Sequence, residues 1–117
     1  MGVFNQTIQL AAVEGGRSLD FDAMVDTGAS YTIVPAGMLN GLGVLPIDKL
    51  RLVLADGRRV EYDLGRAFAT IDGRTELTLV LFGEENTSPL LGAYTLEGLR
   101  LAADPVHQRL VPAVGWA

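Results

Sequence analysis

Short segments in which apolar and polar residues alternate, bounded by Gly-containing turns, recur along the chain. In residues 19–26, four apolar residues alternate with Met24 and three aspartates. A period of two places these two sets on opposite faces of a strand. Asp-Gly in the middle of such a pattern is typical of a tight hairpin. It separates two further pairs of segments, 50–54 from 60–64 and 67–71 from 76–82. The chain is therefore predicted to be mostly β.

The remaining segments add a few strands and short helices. Residues 3–13, 31–34 and 109–114 have strand-like compositions. Pro35 can open a short helix over 36–42. Thr95 can cap a second helix over 96–101, which Asp104-Pro105 would end. We predict about seven or eight short strands and one or two short helices, in a single barrel-like domain over residues 1–117.

Composition excludes several classes of function. The chain has no cysteine and one histidine, which removes disulfides, thiolate nucleophiles and Cys- or His-rich metal sites. The net charge of −5 argues against a nucleic-acid partner. The apolar stretches are far shorter than a bilayer span, and residues 1–15 lack a cationic leader. No membrane partner and a cytoplasmic location are therefore expected.

The segment 24–30, Met-Val-Asp-Thr-Gly-Ala-Ser, is the candidate site. Asp26 ends an alternating strand on the face opposite the core-facing residues, and Gly28 breaks the strand directly afterwards. A carboxylate held at such a place is costly, and proteins accept that cost mainly at functional sites. The alternative is an ordinary turn, because aspartate and glycine are favoured in turns for backbone reasons.

The order of motifs around this segment decides between the two interpretations. Asp-Thr-Gly-Ala at 26–29 is followed by an apolar run, then by the hairpin with its tip at 55–59. Leu90-Leu91-Gly92 comes later, with Gly92 64 residues after Gly28, and a helix follows it. This order, over roughly residues 13–114, resembles the retropepsin-like aspartic proteases, the single-lobe, retroviral-type relatives of pepsin. The resemblance implies a mostly β, closed-barrel-like acid protease fold with one short C-terminal helix and one lobe per chain.

The resemblance also implies a homodimeric endopeptidase. One chain carries one such motif, so each subunit would bring its Asp26 to a twofold axis. Two carboxylates held this close share one proton, so that the ionised one acts as general base on a water and the protonated one as general acid. Thr27 would bond across the axis, and Gly28 would let its N–H approach Asp26. Neither a metal nor a cofactor is needed.

Substrate-binding residues follow from the same resemblance. A peptide or protein substrate would contact Ala29 and Ser30, and Ser30 departs from the aspartate of many viral members. Because Ala29 stands where pepsin-like enzymes carry serine, the pH optimum should be less acidic than that of pepsin. Leu91 and Gly92 would pack behind the loop. The hairpin would form the flap, with its tip at Ala55, Asp56, Gly57 and Arg58.

Several alternatives stay open at this point. The hairpin could be a plain surface hairpin, and its arginines could meet an acidic substrate or only solvent. A catalytically silent dimerisation or peptide-binding module would share the fold, although the intact motif favours an enzyme. A domain that processes a polyprotein would use the same chemistry. His107 is expected at the surface, and Asp20 and Asp22 on a solvated strand face. Residues 1–4, 110–114 and Trp116 are candidate dimer contacts.

Overall fold

The computed structural model describes residues 4–115, which form nine strands and two short helices. Neither helix has the length and apolar character needed to span a bilayer. In chain order the elements are β1 Asn5–Ala11, β2 Ser18–Val25, β3 Thr32–Pro35, α1 Ala36–Leu42, β4 Pro46–Val53, β5 Arg59–Ile71, β6 Arg74–Gly83, β7 Leu90–Leu91, α2 Ala93–Gly98, β8 Leu101–Asp104 and β9 Arg109–Pro112.

Seven of these strands form one sheet that closes on itself. Its order is β1-β2-β7-β3-β6-β5-β4, and β1 also pairs with β5, so that Ala11 lies opposite Phe68. Most neighbours are antiparallel, but β2 pairs with β7 and β3 with β6 in parallel. Strands β8 and β9 form a separate two-stranded hairpin. The predicted mostly β, barrel-like fold is confirmed.

The core lies inside the closed sheet, where alternate residues of each strand point inwards. Ile8 and Leu10 of β1 and Ala67 and Ala69 of β5 are fully buried. Each buried Leu or Ile side chain contributes about 1.5–3 kcal/mol relative to an exposed one. Three further buried leucines belong to this core: Leu39 in α1, Leu96 in α2 and Leu99 directly after α2.

Local sequence signals predicted some elements well. The helix over 36–42 is confirmed, and both Asp-Gly turns connect hairpins. The alternation in β2 holds for Ala23 and Val25, which are buried, whereas Leu19 at the start of the strand is exposed. The predicted strand over 3–13 begins outside the described residues. Of the candidate dimer contacts, residues 1–3 and Trp116 also lie outside them.

Other boundaries differ from the prediction. The segments 60–64 and 67–71 form one continuous strand, β5, and β4 begins at Pro46 rather than at residue 50. The second helix covers Ala93–Gly98 instead of 96–101, and Thr95 lies inside it rather than capping it. Asp104-Pro105 ends strand β8 instead of a helix, and the final strand stops at Pro112.

Candidate active site

The backbone on both sides fixes Asp26 at the end of β2. Strand β7 runs parallel to β2, with Val25 opposite Leu91. The Asp26 N–H donates to the Leu91 carbonyl at 3.0 Å, and the Ala29 N–H donates back to the Asp26 carbonyl at 3.2 Å. Residues 26–30, called the Asp26 loop below, therefore begin at a strand end that is hydrogen-bonded to β7.

Gly28 brings a backbone donor to the Asp26 carboxylate. Its N–H lies 2.9 Å from Oδ1 of Asp26. A Cβ at position 28 would stand 3.2 Å from the same oxygen, closer than ordinary van der Waals contact. The approach of the Gly28 N–H to Asp26 that the sequence predicted is therefore present, and a side chain at position 28 would require the carboxylate to shift slightly.

Helix α2 holds the other end of the Asp26 loop. The N–H groups of Ala93 and Tyr94 donate to the carbonyls of Ala29 and Ser30, at 2.8 and 2.9 Å. The ring of Tyr94 also packs against that of Tyr31, with centroids 5.9 Å apart. The start of the helix thus uses its unpaired amides on the loop, which satisfies both sets of backbone groups.

Gly92 is the point where α2 meets the loop most closely. A Cβ at this buried position would lie 2.5 Å from both the C and the O of Tyr31 and 3.0 Å from the Thr32 nitrogen. Only glycine permits this approach of two backbones. Leu91 is fully buried in the core behind the loop.

Three buried threonines form a row of hydrogen-bonded hydroxyls next to the Asp26 loop. Thr95 Oγ1 lies 2.6 Å from Thr32 Oγ1 and 2.9 Å from Thr78 Oγ1, and Thr32 accepts the Gly92 N–H at 3.1 Å. All three residues are at most 4% exposed. These three hydroxyls were not predicted from the sequence, because a threonine within a strand or at a helix start is ordinary there. Their signal is spatial, since buried hydroxyls need partners.

The face of the loop that could react is open on a single chain. Thr27, Gly28 and Ser30 are exposed, and Asp26 and Ala29 are half-buried.

Within residues 4–115, no group of three or more His, Cys, Asp or Glu residues could hold a metal ion. Asp20 and Asp22 accept hydrogen bonds from Gln9 and Thr7 on the neighbouring strand β1.

The hairpin formed by β4 and β5 is amphipathic. Leu52 lies opposite Val60 and Leu50 opposite Tyr62, and these side chains are partly buried. The other face carries opposed charges, including Lys49 and Asp63 at 2.9 Å. The tip is a turn closed by bonds between Leu54 and Arg58 and between Gly57 and Leu54, and Gly57 has a positive φ of 87°.

The tip residues Ala55, Asp56, Gly57 and Arg58 are exposed. In the part of the chain that the structure describes, no hydrogen bond or ion pair joins them to the Asp26 loop. Arg58 instead donates to Asp56 through its backbone and Nε, both at 3.0 Å. These bonds, the backbone one foremost, hold the pKa of Asp56 below its ordinary value. The structure therefore groups 26–30 with Leu91 and Gly92, and leaves the hairpin tip apart.

His107 lies in the turn between β8 and β9, exposed, with Nδ1 2.8 Å from Oδ2 of Asp104. The hydrogen bond from His107 is the main cause that lowers the pKa of Asp104. Asp104 also accepts the backbone N–H groups of Val106 and His107. This contact organises a surface turn, in agreement with the position that the sequence analysis expected for His107.

Comparison with solved structures gives the same fold. The chain is similar to simian foamy virus (mac) protease, with 22% identity and a TM-score of 0.56 over 80% of this chain and 91% of that one. It is also similar to EIAV protease in complex with the inhibitor HBY-793, with 18% identity and a TM-score of 0.55 over 81% of this chain and 86% of that one. This chain has the fold of the retroviral proteases. No protein-family model matches it, and no curated protein matches it.

Proposed function

We propose that this protein is an aspartic endopeptidase that acts as a homodimer. The observation that carries the proposal is the Asp26 loop itself: Asp26, Thr27 and Gly28 lie at the end of β2, the Gly28 N–H donates to the Asp26 carboxylate, and the fold around them is that of retroviral proteases. The likeness in fold alone would not argue for activity. The intact Asp-Thr-Gly triplet, in a loop that is hydrogen-bonded at both ends, is what argues for activity.

Hydrolysis of an amide needs two acid–base roles, and one chain offers one Asp26. A general base must take a proton from water while a general acid protonates the carbonyl oxygen of the substrate. A symmetric dimer supplies both groups, because two close carboxylates retain one proton between them. The exposed face of Thr27 and Gly28 leaves room for a second copy to approach, and the Thr27 hydroxyl would bond to the partner's loop.

The reaction would then proceed without a covalent intermediate. The ionised Asp26 removes a proton from the water while the water oxygen attacks the scissile carbonyl carbon. The protonated Asp26 of the second copy donates its proton to the carbonyl oxygen. Collapse of the resulting diol breaks the C–N bond, and the amine leaves with a proton from the pair. The Gly28 N–H stays on Asp26 throughout and fixes the plane of its carboxylate.

The substrate would be an extended peptide. Backbone groups of Ala29 and Ser30 lie beside Asp26, and the hairpin tip 55–58 would close over the peptide as a flap. Strand addition of this kind recognises the main chain through its hydrogen bonds and the side chains through alternating pockets. The apolar face of the hairpin, with Leu52 and Val60, would border those pockets. Leu91 and Gly92 support the loop from behind.

A peptide library tests the proposal directly. The protein is incubated with the library from pH 3 to 7, with and without a statine-type inhibitor, beside Asp26→Asn. We expect cleavage that the inhibitor blocks and Asp26→Asn lacks, with specific activity that rises with enzyme concentration because the site forms only in the dimer. Binding of the inhibitor without cleavage would identify a silent peptide-binding module. Equal cleavage by Asp26→Asn would reject the proposed roles of Asp26.

A further inference from the structure

Glu84 links the hairpin to the loop that leads into the active site. It follows β6 directly and begins the loop 84–89, which enters β7 beside Asp26. Its Oε2 accepts the Tyr62 hydroxyl at 2.7 Å and lies 3.5 Å from Nη1 of Arg58. One carboxylate oxygen therefore receives a donor from strand β5 and another from the hairpin tip.

The loop end of this contact is fixed. The Thr87 N–H donates to the Glu84 carbonyl at 3.0 Å, which closes a turn. The neighbouring Glu85 accepts the Gly37 N–H at 2.8 Å, which ties the loop to α1. A Cβ at position 37 would lie 2.6 Å from Oε1 of Glu85, so a side chain there would require the Glu85 carboxylate to shift. The backbone at Glu84 is therefore held in place by these two hydrogen bonds.

The hairpin end of the contact is exposed and held by side chains. Arg58 lies between Asp56 and Glu84, with 57% of its side chain exposed. These carboxylates raise the pKa of Arg58, with Asp56 as the larger cause. Burial foremost, and then the bond to Glu84, raise the pKa of the Tyr62 phenol. Exposed ion pairs are weak and screened by salt, so such a contact can open and re-form.

We propose that Glu84 is a positioning residue that anchors the hairpin to its own subunit through Arg58 and Tyr62. The anchor would set where the hairpin tip lies relative to the loop 84–89 and to β7, in which Leu91 is hydrogen-bonded to Asp26. Its role in substrate binding rests on the proposed function, whereas the anchor itself does not. A hairpin held in place offers a peptide a preformed edge, so its release should weaken substrate binding more than turnover.

A spin label at the tip tests the anchor without any need for activity. The chain has no cysteine, so Ala55→Cys gives one unique site for a nitroxide. We expect the mobile fraction of the label to rise about two- to fivefold in Glu84→Gln and in Arg58→Gln. Arg59→Gln is the matched control, because Arg59 makes no ion pair with the carboxylates of residues 4–115. Roughly 1 M salt should raise the mobility in the parent label variant, and much less in Glu84→Gln.

The tyrosine titration is a second readout. The pKa of Tyr62, assigned with Tyr62→Phe, should fall in Glu84→Gln while it stays above its ordinary value, because burial remains. An unchanged label spectrum in Glu84→Gln, or an equal release by Arg59→Gln, would overturn the proposal.

If the parent cleaves peptides, Glu84→Gln should raise KM severalfold and change kcat little, and a loss in kcat alone would overturn the positioning role. If it cleaves nothing while the label responds, the anchor stands and the proposed function fails.

Discussion

Thr95 Oγ1 lies 2.6 Å from Thr32 Oγ1, although the two residues are 63 positions apart in the chain. Thr95 belongs to α2 and Thr32 to β3, the strand that follows the Asp26 loop. Because Thr32 also accepts the Gly92 N–H, a single hydroxyl contact joins the strand that follows the loop to the helix that holds it. The stability of the loop is therefore tied to a polar contact in the core.

Replacing Thr95 by valine should destabilise the protein by about 1–3 kcal/mol, since the Thr32 and Thr78 hydroxyls would lose a partner in a buried place. Thr95→Ser keeps the hydroxyl and should recover most of this loss. Urea unfolding at neutral pH measures both variants. A Thr95→Val protein as stable as the parent would show that the row of hydroxyls contributes nothing.

Gly92→Ala should be among the most damaging single-methyl changes in this chain. The added Cβ would collide with the Tyr31 backbone, which has no flexible end that can move aside. We expect a loss of about 3 kcal/mol or more in the free energy of unfolding. Gly98→Ala is the matched control within α2, because nothing lies within 4 Å of its Cβ, and it should be neutral or stabilising. Similar thermal unfolding of the two variants would contradict the collision.

Acid should remove a stabilising contribution of the turn between β8 and β9. The pKa of Asp104 is lowered from 3.8 by His107 foremost, then by backbone donors and Arg109. A carboxyl whose folded pKa is depressed stabilises the fold above its unfolded pKa, and this contribution is lost as the pH falls through the lower folded pKa. Asp104→Asn should therefore flatten the fall in stability below about pH 4. Denaturant unfolding from pH 6 to 2.5 checks this, and parallel curves for the two proteins would refute it.

Thr27→Val should weaken the proposed dimer and leave the subunit fold intact. Thr27 is exposed on the single chain, so the lost hydroxyl would matter only at the subunit contact. We expect the concentration at half-maximal specific activity to rise about tenfold, with recovery in Thr27→Ser. Sedimentation at matched concentrations measures the same equilibrium without substrate. An unchanged dissociation constant would exclude a bond from Thr27 across the axis.

Local signals in the sequence predicted what depends on neighbouring residues. The Asp-Gly turns and the helix after Pro35 are of this kind, because a few residues set the backbone geometry. The position of α2 could not be predicted from local signals. Thr95 looks like a helix cap in sequence, but it lies inside the helix, where its hydroxyl contacts two hydroxyls that are distant in sequence. The contact of Arg58 with Glu84 is equally non-local. The motif at 26–28 could be recognised because its chemistry is contiguous, whereas the supports of its loop come from β7 and α2.

The double pairing of β1 has a kinetic consequence. Ala11 must find Phe68 before the sheet can close, and such a contact between distant parts of the chain carries a large loop-closure entropy. During synthesis, one edge of β1 stays unsatisfied until β5 has left the ribosome. We therefore expect closure of the ring between β1 and β5 to be a late step in folding.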